Sequence, residues 1–268
     1  MTRLCRLFQV SRAGYYAWRH RQPSTHTVQD RQLTEQIGDV FRAHHGAYGS
    51  PRVHRALAAR GIAVGRHRVA RLMRERGLRA RVARIYKANP GVHRFFGQHP
   101  NRVRGLRVTA PNQVWVGDIT YLRAADRWWY FAVVLDQHSR RVLAWALGRR
   151  RAARLTTRVL AAAAARRRPP AGLIFHSDRG IEYSAAEFRD RVRTLGFLQS
   201  SALTGPGDNA HMESFFHTLK TERLHGLQFR SEPPLRRVLK SYVQYYNRER
   251  AHSALGYRSP IEYESAVT

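Results

Sequence analysis

Two periodicities divide the chain. Over its first third, apolar residues recur three and four positions apart. Leu33, Ile37, Val40 and Phe41 form one such stripe, the spacing that places side chains on one face of a helix. Pro51 opens a second helix carrying Val53, Ala56 and Leu57, because proline suits the first helical turn. The run Gly61-Ile62-Ala63-Val64-Gly65 breaks it, and a third helix follows with Val69, Leu72 and Met73 inward, closing at Gly77. A shorter helical pair is expected around 4–8 and 12–21, turning at Val10-Ser11. From Pro111 the pattern becomes that of strands. Residues 113–122, 128–135 and 141–147 are joined by short turns compatible with an antiparallel meander. Then come an alanine-rich helix over 152–167, stopped by Pro169-Pro170, a strand at 173–175, a helix near 185–195 and a strand at 197–200. A helix over 209–222 follows, and Pro234 opens a last long helix toward Tyr246.

These elements predict three regions. Residues 1–87 are helical, 88–110 are a linker punctuated by Asn89-Pro90-Gly91, Gly97, Pro100-Asn101 and Gly105, and 111–268 are a second domain. Two short helices around a glycine-containing turn resemble a helix-turn-helix, with 66–76 as candidate recognition helix. Its outer faces would carry Arg66, Arg68, Arg71, Arg74 and Arg76. The competing reading is a helical bundle with a solvated arginine face. In the second domain, the order three strands, helix, strand, helix, strand, helix matches an RNase H-like α/β core. The loop Thr204-Gly205-Pro206-Gly207 is flexible by composition.

Charge sharpens the helix-turn-helix reading. The chain carries 48 basic and 18 acidic residues, a net +30. Residues 1–110 hold 23 of those bases and 4 acids, and Glu75 is the only acid between 40 and 117. Such an excess favours a polyanion, and nucleic acid is the default partner. Charge alone specifies no chemistry, since a ribosomal or membrane-surface protein would share it. All but three of the bases are arginine, which grips phosphate with a planar fork; GC-rich coding would give the same bias. A single cysteine, Cys5, excludes an internal disulfide and a zinc site with two thiolates. No run of 18 apolar residues exists and the start lacks a signal-peptide stretch, so a cytoplasmic, nucleoid-associated protein is expected.

The chemistry is expected at three acids. Asp118 lies inside the apolar run Val114-Trp115-Val116-Gly117-Asp118-Ile119, Asp178 ends Leu173-Ile174-Phe175-His176-Ser177-Asp178, and Glu213 follows 35 residues after Asp178 on a helical segment. A carboxylate within an apolar strand needs its charge offset, and a divalent metal does so. Hard cations take oxygen ligands, and two Mg²⁺ ions roughly 3.5–4 Å apart can activate an attacking hydroxyl and stabilise a leaving oxygen. Mn²⁺ is the expected substitute. On the helix, Met212, Phe215, Phe216 and Leu219 form the packing stripe, with Glu213 at its edge and Lys220 about two turns beyond Glu213. Asp208 is the expected N-cap. Singly, each acid has a bland reading: a strand-edge acid paired to arginine, a turn residue before Gly180, a surface glutamate. Asp136, Glu182 and Glu222 read as turn, loop or surface acids, with Glu182 and Glu222 the substitutes to test. Arg179 and Lys220 are candidate phosphate contacts, and His176 and His211 suit a structural or DNA-contact role better than Mg²⁺ coordination.

At these residues the chain resembles a known family. Trp115-Val116-Gly117-Asp118-Ile119-Thr120-Tyr121, His176-Ser177-Asp178-Arg179-Gly180 and Asp208-Asn209-Ala210-His211-Met212-Glu213-Ser214-Phe215-Phe216 look like the signatures of bacterial insertion-sequence transposases with a retroviral-integrase-type DDE core. The match is to the second-frame (OrfB) product of the IS-three family. Tyr48-Gly49-Ser50-Pro51-Arg52-Val53, Leu219-Lys220-Thr221-Glu222 and Tyr246-Asn247-Arg248-Glu249-Arg250 extend it over nearly the whole chain. The resemblance implies that Asp118, Asp178 and Glu213 are a metal-binding catalytic triad for strand cleavage and 3′-OH strand transfer. It implies double-stranded DNA, an upstream-frame product and further copies of the chain as partners. Gly117 stands where a threonine is common, and Leu203-Thr204-Gly205-Pro206 replaces a more basic loop. A retroviral-type His/His/Cys/Cys zinc domain is excluded by the cysteine count. The rival readings are an inactive DNA-binding regulator derived from a transposase and a stand-alone RNase H-like nuclease.

Overall fold

The structure, a computed structural model, describes residues 1–22, 24–81, 99–202 and 209–266. The expected linker segment 88–98, the loop 203–207 and the expected cap Asp208 lie outside these residues. The chain forms two units, Met1–Ala80 and Arg81–Thr268.

The first unit is helical throughout. Helices α1 (Thr2–Leu7) and α2 (Arg12–Arg19) are the short expected pair, with Ser11 capping α2 by accepting from Gly14 N at 2.9 Å. Helices α3 (Thr25–Ala43), α4 (Ser50–Ala59) and α5 (Arg66–Glu75) follow. Leu33, Ile37, Val40, Val53, Leu57, Val69, Leu72 and Met73 are buried, so the stripes read from sequence do form the core. Gly61 and Gly77 end α4 and α5 in the left-handed region, φ +77° and +66°, where a Cβ is costly.

One expectation for α5 fails. Arg68 and Arg71 do not stand on its outer face; both are half-buried and turned toward α3. There Arg68 donates to Asp30 Oδ1 at 2.7 Å and Arg71 to Asp30 Oδ2 at 2.6 Å. These bonds draw the Asp30 carboxyl below its ordinary value, the Arg71 bond most, against the opposing effect of desolvation. Asp30 is the partner that the one-dimensional arginine count overlooked. Arg66 and Arg74 are exposed.

The second unit is built on five strands, β1 (Val114–Ala124), β2 (Arg127–Asp136), β3 (Val142–Gly148), β4 (Ile174–Ser177) and β5 (Leu198–Ser201). Their order is β3-β2-β1-β4-β5. The first three form the expected antiparallel meander, and β4 and β5 add parallel to β1. Helix α6 (Ala153–Arg167) makes the crossover to β4. The helix expected near 185–195 is α8 (Ala186–Thr194), and a short unexpected helix, α7 (Ile181–Ser184), precedes it. α9 (Ala210–Leu219) passes into a π-helical turn, Lys220–Leu224, rather than continuing regularly to 222. α10 (Glu232–Arg248) is not the last helix; α11 (Pro260–Ser265) follows, opened by a Ser259–Glu262 capping box.

Both sheet faces are covered. Val114, Val116 and Leu122 of β1 pack with Met212, Phe215, Phe216 and Leu219 of α9 and with α10. Trp115 and Phe175 pack on the other face with α6, Tyr183 and Phe188. The even-numbered positions of β1 therefore face α9, and Asp118 shares that parity. Among the described residues no helix is long and apolar enough to cross a membrane.

Candidate active site

Strand register sets the site. Gly117 of β1 pairs with Ser177 of β4 in parallel. Asp118 within β1 and Asp178 just past the end of β4 thus stand at the same level of neighbouring strands. Parallel neighbours lie roughly 4.8 Å apart, so the register delivers two carboxyl groups to one place. Asp118 Oδ1 accepts from Ile119 N at 2.7 Å, and Asp178 Oδ1 from Gly180 N at 3.0 Å. Burial pushes the Asp118 carboxyl well above the ordinary carboxylate range; the charge of Asp178 pushes it further, and the Ile119 bond opposes both.

Two glycines make room for this. A Cβ on Gly117 would stand 2.4 Å from Phe175 Cζ, so the ring of β4 fills the space a side chain would need. This is a local reason for glycine at position 117. A Cβ on Gly180 would stand 3.0 Å from Asp178 Oδ1 and 2.5 Å from Glu182 Oε1. Two carboxylates thus crowd the same glycine.

The second of those carboxylates corrects an expectation. Glu182 is not a loop or surface acid; it is 4% exposed. Arg151 donates to its Oε1 through Nε at 2.9 Å and through Nη2 at 2.8 Å. The charge of Glu182 also acts on Asp118. Arg151 lies 31 residues away in sequence, at the end of the run Arg149-Arg150-Arg151. The only local signal for this pair was the absence of another acid near those arginines. Glu222 is likewise buried, not superficial. Arg250 grips it with two bonds of 2.8 Å and Tyr242 donates to it at 3.2 Å. That pair closes the π turn after α9 against the end of α10, so Glu222 is a structural anchor. Asp136 is the turn acid expected, buried and accepting from Asn112 N, His138 N and Ser139 N at 2.7, 3.0 and 2.9 Å.

Helix α9 approaches the aspartates from the sheet face that Asp118 shares. Its N-cap is Asn209, a residue the sequence reading passed over. Asn209 Nδ2 donates to Gly117 O at 3.4 Å, one residue from Asp118. Glu213 N donates to Asn209 O at 3.1 Å, which sets Glu213 one turn along from that contact. The Glu213 side chain is exposed. The structure therefore brings Asp118 and Asp178 together and places Glu213 on the adjacent helix. Among the described residues no three His, Cys, Asp or Glu side chains are gathered closely enough to hold a metal ion.

The remaining candidates distribute as follows. Lys220, just past α9, carries its ammonium 5.2 Å from the Tyr121 ring centre. Burial lowers its pKa, and the charge of Asp118 raises it back in part. Arg179 Nε donates to Ala202 O at 2.8 Å, tying the residue after Asp178 to the end of β5. His176 is fully buried, bonded through Nδ1 to Ser200 Oγ at 2.8 Å, the structural role expected of it. His211 takes a hydrogen bond from Arg140 on Nδ1. Burial first, then Arg140 and His176, lower its pKa to about 4, so it is a neutral imidazole at neutral pH.

Known proteins match along most of the chain. Residues 108–205 and 200–260 fit family models described as integrase core domain, and 28–86 one described as HTH-like domain. An uncharacterized 31 kDa protein of insertion element IS600 from Shigella sonnei is 38% identical over 263 residues, 97% of each chain. Transposase InsF of insertion sequence IS3A from Escherichia coli K12 is 36% identical, covering 98% of this chain and 93% of that one. The transposase of IS904 from Lactococcus lactis is 34% identical over 91% of this chain and 98% of its own. Among solved structures, a simian T-cell lymphotropic virus intasome in complex with a PP2A regulatory subunit matches with a TM-score of 0.52 and 18% identity, over 81% of this chain and 74% of that one. That likeness concerns the fold.

Proposed function

This chain belongs to the IS3 family of insertion-sequence transposases, and on that premise we propose that it cleaves a DNA strand at an element end and joins the freed 3′-OH to a target phosphodiester. The observation that carries this reading is the parallel register Gly117–Ser177, which sets Asp118 and Asp178 side by side. The donor chemistry fits a hard divalent cation. Two carboxylates oppose each other there, and the neighbouring cation Arg151 is already bonded to Glu182. Asp118 and Asp178 would hold such an ion, with Glu213 as the third ligand; Mg²⁺ is the expected metal, Mn²⁺ its substitute. When bound, a pair of divalent ions supplies the positive charge that activates an attacking hydroxyl and stabilises the leaving oxygen.

The chain's own groups would do the rest. Asp118, with its raised pKa, retains a proton more readily than an ordinary carboxyl until a cation or substrate arrangement makes its charge favourable. Glu182 holds Arg151 at the rim of the site, where half of its side chain is exposed, able to meet a phosphate. Lys220 and Arg179 are further phosphate contacts on this reading. Arg66 and Arg74 present exposed guanidinium groups on α5 of the HTH-like unit, and Arg68 and Arg71 would reach DNA only by sharing their bonds to Asp30. An upstream-frame product and further copies of the chain on DNA complete the proposed partners.

The test uses the gene with its native flanks on a plasmid, with and without any upstream frame. Amplification across abutted element ends should give a junction product with wild type and none with Glu213→Gln. A product undiminished in Glu213→Gln would remove Glu213 from the chemistry. No wild-type product even with the upstream frame would favour the inactive-regulator reading.

A further inference from the structure

From the exposed aromatic pair Tyr121 and Trp128, we infer a stacking site that receives an unpaired DNA base further along β1 from the aspartates. The inference deepens the proposed function by adding a base-binding surface to it. β4 ends opposite Gly117, so among the described residues no strand pairs with the β4-side edge of β1 beyond Asp118. Three residues along, about 10 Å at the rise of a strand, lies Tyr121. Its ring meets Trp128 of β2 edge to face, centroids 5.2 Å apart at 88°.

Both rings are exposed far beyond what large aromatics usually show, Tyr121 at 62% and Trp128 at 53%. Neither belongs to the core on either sheet face. A cation stands at this surface: Lys220 lies 5.2 Å from the Tyr121 ring centre. Arg123 and Arg127 are exposed at the same hairpin, Arg123 paired with Asp126 at 3.1 Å. Aromatic faces ringed by cations are how proteins hold single-stranded nucleic acid without reading its sequence: each base has a face to stack, and each phosphate meets a positive charge. An apolar protein partner would not call for the surrounding arginines.

The test measures binding in the absence of divalent metal, so no cleavage takes part. The probe is a short single-stranded oligonucleotide carrying 2-aminopurine, whose fluorescence is quenched on stacking, with a blunt duplex of the same length as control. Wild type should quench the probe. Tyr121→Ala and Trp128→Ala should each bind it about tenfold more weakly and lose the quenching. Tyr121→Phe should keep both, since it retains the ring, and duplex affinity should move less than twofold in all three. Substitution of side chains this exposed opens no cavity, and unchanged thermal unfolding would verify that the variants fold. Equal loss on single strand and duplex would reduce the patch to general electrostatics, and alanine variants that bind and quench like wild type would overturn the inference. Lost self-association with unaltered oligonucleotide binding would assign the patch to a second copy of the chain instead. Junction formation is scored separately, so a chain inactive in transposition that still quenches the probe would fail the function while sustaining this site.

Discussion

Asp118 shows what a buried carboxyl costs the fold. Its carboxyl is pushed upward by burial and by Asp178. A folded-state pKa above the unfolded value means that stability present at low pH is lost as pH rises through the folded value. At neutral pH the charge therefore works against folding. Asp118→Asn should raise the melting temperature by a few degrees in metal-free buffer at pH 7 while ending junction formation. A lower melting temperature would show that the charge is already compensated. Asp118 and Asp178 were legible because an acid in an apolar run is conspicuous in one dimension. Glu182 and Glu222 were not, because what buries them is an arginine 31 or 28 residues distant. Asn209 was missed for a different reason: the more usual capping residue beside it, Asp208, drew the assignment.

At the level of elements, β1 and β4 act as one part. Phe175 of β4 occupies the space above Gly117 of β1, and its ring also meets Tyr183 and Phe188, with centroids 6.1 and 5.3 Å away. This packing fixes the register that aligns Asp118 with Asp178. Gly117→Thr should destabilise the protein by about 1–3 kcal/mol through overpacking. Phe175→Leu would relieve the clash, so the double variant should lose less than the two singles together, measured from denaturant midpoints. Strict additivity would show that the ring and the missing side chain are not coupled. Strand and helix positions were readable from periodicity of two and of three to four. The π turn at Lys220–Leu224 was not, since no break in the pattern marks it and the Glu222–Arg250 pair within it joins residues 28 apart. α11 escaped for want of length: six residues give too few turns for a periodic signal.

Across the integrase-core unit as a whole, the C-terminal α11 is fastened to the far parts of the sheet by one carboxylate. Glu264 accepts from Ser139 at 2.7 Å, Arg141 at 2.6 Å and Arg167 through two bonds of 2.9 Å. Burial raises its pKa, but these bonds together outweigh it and hold the carboxyl below its ordinary value. A depressed folded-state pKa gives stability that is present above the ordinary carboxylate range and lost as pH falls through the folded value. Glu264→Gln should cost about 2 kcal/mol at neutral pH, and its stability should fall less steeply than that of wild type below roughly pH 4. Parallel acid limbs for the two proteins would show that other groups govern acid unfolding.

The central claim is that Asp118 and Asp178, with Glu213 carried beside them on α9, hold a divalent cation. Mn²⁺ takes the same oxygen ligands as Mg²⁺ and is paramagnetic, so its binding to the full chain can be followed directly by electron paramagnetic resonance. Wild type should take up Mn²⁺ in competition with Mg²⁺. Asp118→Asn and Asp178→Asn should each abolish that binding, and Glu213→Gln should weaken it. Binding unchanged in both aspartate variants would contradict the account at its base, and place any metal chemistry of this chain elsewhere.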